Sequence, residues 1–190
     1  MIGTLTEEEF VIEAQQFLNL SQQLHDGWEL VKSKSGTVYL KKQLMQPLVL
    51  LKNVNLEEDN QDELLVDDPS YSTQTSISEL YRFDYHVIYS ISYQVPVLYF
   101  NVYKSDGTVL SLEEAWSGFL ALESSEQLHQ TLTQMEHPVL FRPFLALHPC
   151  QTAQVLGNTS KSKNRIVSFI SSYGPVVNLN LSLDYAALVD

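Results

Sequence analysis

The apolar positions of this chain follow two repeat lengths. Phe10, Ala14, Phe17, Leu18 and Leu24 recur at helical intervals behind Thr6 and Glu9, which have capping-box spacing. They predict an amphipathic first helix that ends near Asp26 and Gly27. Residues 28–31 then read as a strand, 33–36 as a turn and 38–41 as the returning strand of a hairpin. The pattern fades over residues 43–78, where only 48–51 keep strand character. It returns at Tyr81, Phe83, Tyr85, Val87, Tyr89 and Ile91, which alternate with Arg82, Asp84, His86, Ile88, Ser90 and Ser92. A period of two is that of a strand with two differently occupied faces.

Residues 93–96 break the alternation, and 97–103 supply the next strand. Ser105, Asp106 and Gly107 form a hairpin-type turn signal. Ser111 and Glu114 repeat the capping-box spacing ahead of Leu112, Ala115, Trp116 and Phe119, which predicts a second helix. A short helix is expected around residues 127–132. Residues 141–147 are apolar but interrupted by Arg142 and Pro143, so an extended segment at a sheet edge is expected there. Residues 165–173 suit a helix that Gly174 and Pro175 break, and 176–189 form a second apolar piece that packs on the core. Strands grouped between helices indicate an α+β fold with an antiparallel sheet, not a parallel one.

At 190 residues the chain suits one domain with a full core. Glu57, Glu58, Asp59, Asp62, Glu63, Asp67 and Asp68 crowd one stretch, with Pro69 behind them. Self-repelling charge with little to bury predicts a mobile insertion at about residues 53–78 within a single domain spanning 1–190. The formal net charge of −12 argues against nucleic acid and anionic lipid as partners, because phosphate recognition needs clustered Lys and Arg. Thr6 and the glutamates at 7–9 occupy the place of a basic then apolar leader, and no apolar run approaches a bilayer span. A cytoplasmic protein without membrane insertion is expected, with a monomer as the default state.

The chemistry narrows to one atom. Cys150 is the single cysteine, so it has no intramolecular disulfide partner. The five histidines include no i, i+4 helical pair, and no second cysteine can join them, so no metal site is expected. No Gly-x-Ser-x-Gly elbow occurs, although a scattered Ser-His-Asp triad would not need one. Cys150 closes the run Leu147-His148-Pro149-Cys150. In an extended segment His148 and Cys150 would lie on one side, and Pro149 would stiffen the presentation. A helical turn over 151–156 would place free N–H groups near the sulfur and favour a thiolate. The residues alone leave an inert buried thiol, a hydrolase nucleophile and an acyl carrier all open.

Several motifs, in order, resemble one family. They are Tyr85-His86-Val87, the run from Ser92 through Tyr93, Gln94, Val95, Pro96, Val97, Leu98 and Tyr99 to Phe100, Asp106-Gly107, Glu136-His137-Pro138, Leu147-His148-Pro149-Cys150, and Gly174-Pro175-Val176-Val177. Together they resemble the autophagy-related protein ten family, closely over residues 81–181 and more loosely before that. The resemblance implies a variant of the ubiquitin-conjugating fold, an antiparallel sheet flanked by helices. It implies a transferase that takes a ubiquitin-like modifier, autophagy-related protein twelve, from an activating enzyme, autophagy-related protein seven. The modifier would be held as a thioester on Cys150 and passed to a lysine of the acceptor, autophagy-related protein five. No metal or organic cofactor is implied.

One departure affects the chemistry. Ordinary ubiquitin-conjugating enzymes carry His-Pro-Asn before the cysteine, with the asparagine supporting the oxyanion. Here the echo is His137-Pro138-Val139, and Val139 has no side-chain donor. His148, Tyr85 and backbone N–H groups near Cys150 are the candidates for that support. Readings from other classes are a cysteine-dependent hydrolase and a non-catalytic adaptor that binds through a sheet edge or the acidic stretch.

Overall fold

The structure is a computed structural model that describes residues 3–48, 79–120, 132–158 and 162–189. It begins with α1 (Glu7–Leu24), whose capping box is complete: Thr6 Oγ1 accepts from the Glu9 amide and Glu9 accepts from the Thr6 amide. Six strands follow, β1 (Trp28–Lys32), β2 (Val38–Leu48), β3 (Glu79–Ser90), β4 (Val95–Tyr103), β5 (Leu132–Glu136) and β6 (Pro143–Leu147). Helix α2 (Leu112–Leu120) lies between β4 and β5; α3 (Thr152–Asn158) and α4 (Arg165–Tyr173) come after β6. The strands form one sheet in the order β1-β2-β3-β4-β6-β5, and every neighbouring pair is antiparallel. This is the α+β, ubiquitin-conjugating-like arrangement of an antiparallel sheet with flanking helices that the sequence implied.

The two faces of β3 explain the layering. Tyr81, Phe83, Tyr85 and Val87 point into the main core, where they meet Leu98, Phe100 and Val102 of β4 and the apolar sides of the helices. Phe17 of α1 stacks on Tyr185 with ring centroids 4.5 Å apart and meets Trp28 edge-on at 5.1 Å. Phe119 of α2 meets Phe83 and Phe100 edge-on. The opposite face carries a smaller cluster of Tyr39, Ile88, Val97, Tyr99, Phe144 and Ala146. The C-terminal piece packs on the main core as two 3-10 turns, burying Val177, Leu179 and Tyr185.

Four expectations change. Strand β2 runs on through Pro47 to Leu48, because β3 pairs with it from Tyr39↔Ile88 to Leu48↔Glu79. Ile91 does not continue β3; it sits in the turn at residues 91–94 and is 76% exposed. Leu132 opens strand β5 instead of closing a helix, and the remainder of that expected helix lies outside the described residues. Strand β6 is interior, between β4 and β5, not at an edge. Pro143 is tolerated because it is the first residue of β6, where a missing N–H costs the ladder least. The acidic stretch at 53–78 is also outside the described residues.

The turn between β5 and β6 is fastened to the sheet by a buried chain of hydrogen bonds. His137 Nδ1 accepts from the amides of Val139 and Leu140, at 3.2 and 3.1 Å. The neutral ring must therefore carry its proton on Nε2, which donates to His86 Nδ1 at 2.7 Å. His86 Nε2–H in turn donates to Asp84 Oδ1 at 3.1 Å. All three side chains are buried, and Tyr39, Tyr99 and Phe144 pack around His137. Burial, and after it the neighbouring His86 and Arg142, lower the His137 pKa to about 4. Burial alone would raise the Asp84 pKa, but the hydrogen bond from His86, with that from Gln43 and the nearby Lys41 charge, brings it below the usual value.

The sign of the pH dependence follows. Between about pH 6.5 and 4 the unfolded chain protonates His137 and the fold does not, so stability falls as the pH falls. The loss approaches about 3 kcal/mol once both pKa values are passed, at about 1.4 kcal/mol per pKa unit. Urea midpoints taken from pH 7 down to pH 4 should decline, and a flat profile would refute this proton assignment. His137→Ala should cost about 2–4 kcal/mol at pH 7, by stranding His86 and two amides, and should make the acid decline shallower.

Candidate active site

Strand β6 delivers Leu147 to the main core and then ends, because Pro149 supplies no N–H to continue a ladder. Residues Pro149–Gln151 form a 3-10 turn that runs directly into α3. Cys150 is exposed in this turn. The condition for a shared side is not met: His148 is extended, with φ −61° and ψ 129°, but Cys150 already lies in the 3-10 turn. His148 Nδ1 caps the turn by accepting from the Cys150 amide at 3.2 Å. Nδ1 is thus occupied, and in the neutral ring Nε2 carries the proton.

Two other segments meet the Cys150 turn. Tyr93, in the turn between β3 and β4, sets its ring edge-on to His148 with centroids 5.8 Å apart. That turn closes through the Gln94 amide to Ser90 O at 2.7 Å, with Gln94 in the left-handed region at φ 55°. The N-terminal segment braces it from outside: the Leu5 amide donates to Gln94 O at 2.8 Å, and Tyr89 Oη donates to Leu5 O at 2.8 Å. Arg165 at the start of α4 donates to Thr4 O at 3.0 Å and pairs with Glu13 and Glu9 of α1. Gly3 lies directly against α3, where a Cβ would overlap the Ala153 carbonyl oxygen and the Gly157 amide nitrogen. Its φ of 93° also suits glycine alone.

Tyr85 sits elsewhere. It is fully buried, its hydroxyl donates to Val177 O at 2.7 Å and accepts from Gln46 Nε2 at 3.1 Å, and burial pushes its pKa well up. Odd-numbered β3 residues face the helices, so Tyr85 is a core residue whose single O–H is already committed. It anchors the 3-10 turn Gly174–Val177 that follows α4. His137 likewise belongs to the buried chain under the β5–β6 turn, and His25 is exposed in the left-handed cap of α1. Tyr93 and Gly3 escaped the sequence reading. Tyr93 interrupts a pattern and so looked like a break, and no local signal ties Gly3 to a helix 150 positions later.

An exposed cysteine at the end of an interior strand, stiffened by proline and held through its own amide, defines a thiol site on a ubiquitin-conjugating-like sheet. The family described as autophagocytosis associated protein, active-site domain, matches residues 9–184, and the chain belongs to it. The chain is 37% identical to "Ubiquitin-like-conjugating enzyme ATG10" of Homo sapiens, over 96% of this chain and 95% of that protein. It is 30% identical to the Arabidopsis thaliana protein of the same name, again over 96% and 95%. A Dictyostelium discoideum relative of that name is 35% identical over 54% of this chain and 53% of its own length. The chain is a transferase of ubiquitin-like conjugation.

Gly3→Ala tests the bracing of the site. The added Cβ must displace either the N-terminal segment or α3, and the strained φ alone costs about 1–3 kcal/mol. The expected result is a lower melting temperature together with faster amide exchange in residues 152–158. Unchanged exchange in α3 would show that the segment does not hold it.

Proposed function

We propose that Cys150 accepts a ubiquitin-like modifier as a thioester from an activating enzyme and transfers it to a lysine of an acceptor protein. The modifier is autophagy-related protein twelve, the activating enzyme autophagy-related protein seven and the acceptor autophagy-related protein five. The observation that carries this reading is the exposed Cys150 thiol at the end of β6, with its backbone fixed by the His148 cap. A carrier needs an open sulfur, because the incoming modifier tail and the attacking amine must both reach it. The work takes place in the cytoplasm, and among the described residues no helix is long and apolar enough to cross a membrane.

The geometry supports the following roles. The Cys150 thiolate attacks the activated modifier carbonyl; a C–S bond forms and the activating enzyme's own sulfur leaves. In the second step the acceptor amine attacks, a C–N bond forms, the C–S bond breaks, and the amine's surplus proton passes to solvent. His148 positions Cys150 through the cap, and its Nε2–H remains a donor for the carbonyl oxygen. Tyr85 supports the site from the core, through Val177. No metal or organic cofactor enters either step, and adenylation belongs to the activating enzyme.

Mixing the protein with activating enzyme, modifier and ATP should give an adduct that reducing agent removes. Cys150→Ser should replace it with a more stable oxyester and abolish transfer. Full conjugation by Cys150→Ser would refute the nucleophile. Cleavage of purified conjugate by the protein alone would point to a hydrolase instead.

A further inference from the structure

Gly3, Thr4 and Leu5 are consecutive, and each touches a different element. Gly3 lies against the backbone of α3 at Ala153 and Gly157. The Thr4 carbonyl accepts from Arg165 Nη1 of α4 at 3.0 Å. Leu5 donates its amide to Gln94 O in the turn at 91–94 and accepts from Tyr89 Oη of β3, both at 2.8 Å. The Leu5 side chain is buried in the main core, so the segment is anchored by packing as well as by its own backbone groups. Three residues reach at most about 10 Å. The segment therefore sets how far apart α3 and the turn at 91–94 can lie.

Those two elements flank the thiol. Helix α3 starts at Thr152, whose amide closes the Cys150 turn onto Pro149 O. The turn at 91–94 meets it from the other side, through Tyr93 edge-on to His148, whose Nδ1 holds the Cys150 amide. A change in their separation is thus passed to the Cys150 backbone from both directions. Arg165 decides whether the segment stays in place. Its amide and Nε both donate to the Glu13 carboxylate, at 2.6 and 2.8 Å, and Nη2 reaches Glu13 and Glu9. Glu13 is fixed in turn, because Asn164 Nδ2 donates to its carbonyl at 2.9 Å. With one edge of the planar guanidinium held by carboxylates, Nη1 is left with a set direction, and Thr4 O lies along it. A lysine could keep a charge beside Glu13, but a point-like ammonium has no fork to serve Glu13 and Thr4 at once.

We propose that Arg165 is a positioning residue for modifier transfer, acting through residues 3–5, with Tyr89 as its counterpart at the other end of that segment. Together they hold the two elements beside the thiol at the spacing in which an incoming amine meets the thioester carbonyl in line for attack. Neither side chain takes part in bond making; each acts on the backbone that carries Cys150. The role rests on the proposed use of Cys150, but the mechanical link between the ends of the segment is open to a test that does not.

Arg165→Lys and Tyr89→Phe each release one end of the segment. The first keeps a cation beside Glu13, and the second keeps the ring that packs on Phe10. Discharge of the preformed Cys150 thioester to the acceptor is timed well below the melting temperature of each protein. Each variant should discharge about ten-fold more slowly at saturating acceptor, with the half-saturating acceptor concentration unchanged, because lost orientation lowers the rate and not the affinity. Cys150 is the only cysteine, so iodoacetamide alkylation reads this sulfur alone, and its rate should not change. The double variant should be no slower than the slower single one, since a segment released at either end is already slack. Two independent structural losses would instead multiply, to about a hundred-fold, and overturn the proposal. Discharge of Arg165→Lys at the wild-type rate would overturn it too, as would alkylation that slows in parallel with discharge. Wild-type protein that takes up no modifier would refute the conjugation reading, and amide exchange then decides the link. Tyr89→Phe should speed exchange in residues 152–158, at the far end of the segment, and unchanged exchange there would overturn it.

Discussion

The buried hydrogen-bond chain from Asp84 through His86 and His137 to the amides of Val139 and Leu140 is the constraint on which the rest of the structure depends. It joins the middle of β3 to the far end of the β5–β6 hairpin, across strands that are distant in sequence. Each donor has one acceptor and each ring one permitted tautomer, so the chain is complete only with the turn in place. The β4–β6 pairing and the packing of Phe144 and Ala146 hold the strands of that hairpin against the smaller cluster, and the hydrogen-bond chain adds the fastening of its turn. Strand β6 then emerges at a defined height and angle, and the Cys150 turn inherits both.

At the other end of β6 the support is of a different kind. The N-terminal segment bridges the turn at 91–94 and helix α3, Arg165 clamps that segment to α1, and Tyr85 ties the end of α4 to the sheet. These contacts hold the segments that flank the Cys150 turn, while the thiol itself is exposed. A carrier of a protein-sized group benefits from this division. Openness admits a tail, and a rigid surround keeps the reacting atom from yielding when a large partner is attached.

Much of this was legible in the sequence because strong local signals agreed with the global fold. Both capping boxes formed as their spacing required, and the period-two run became β3 with its two faces correctly divided. Cys150, His148 and Pro149 were visible as a motif. What failed depended on pairing partners far along the chain. Pro143 read as an edge marker, yet its place as first residue let β6 lie between two strands. The extension of β2 past its own pattern came from β3 opposite. Tyr85 was a candidate for support through a shared motif, and its strand parity shows that any such support comes from within the core. His137 could be read as a loop residue or a substrate contact, and only the tautomer logic of the folded network decides between them.

The pairing of β4 with β6 spans just Tyr99↔Ala146 and Phe100↔Leu145, whereas β5 holds β6 over its whole length. Yet sliding is prohibited, since Phe144 and Ala146 fill one layer while Leu145 and Leu147 fill the other. The thiol can therefore occupy only discrete stations along the chain direction. An added residue inside β6 would invert both layers, and two would preserve them but carry the sulfur onward by roughly 6–7 Å. Evolution of the loops around this thiol is free to vary in length; evolution of the strand that delivers it is quantised.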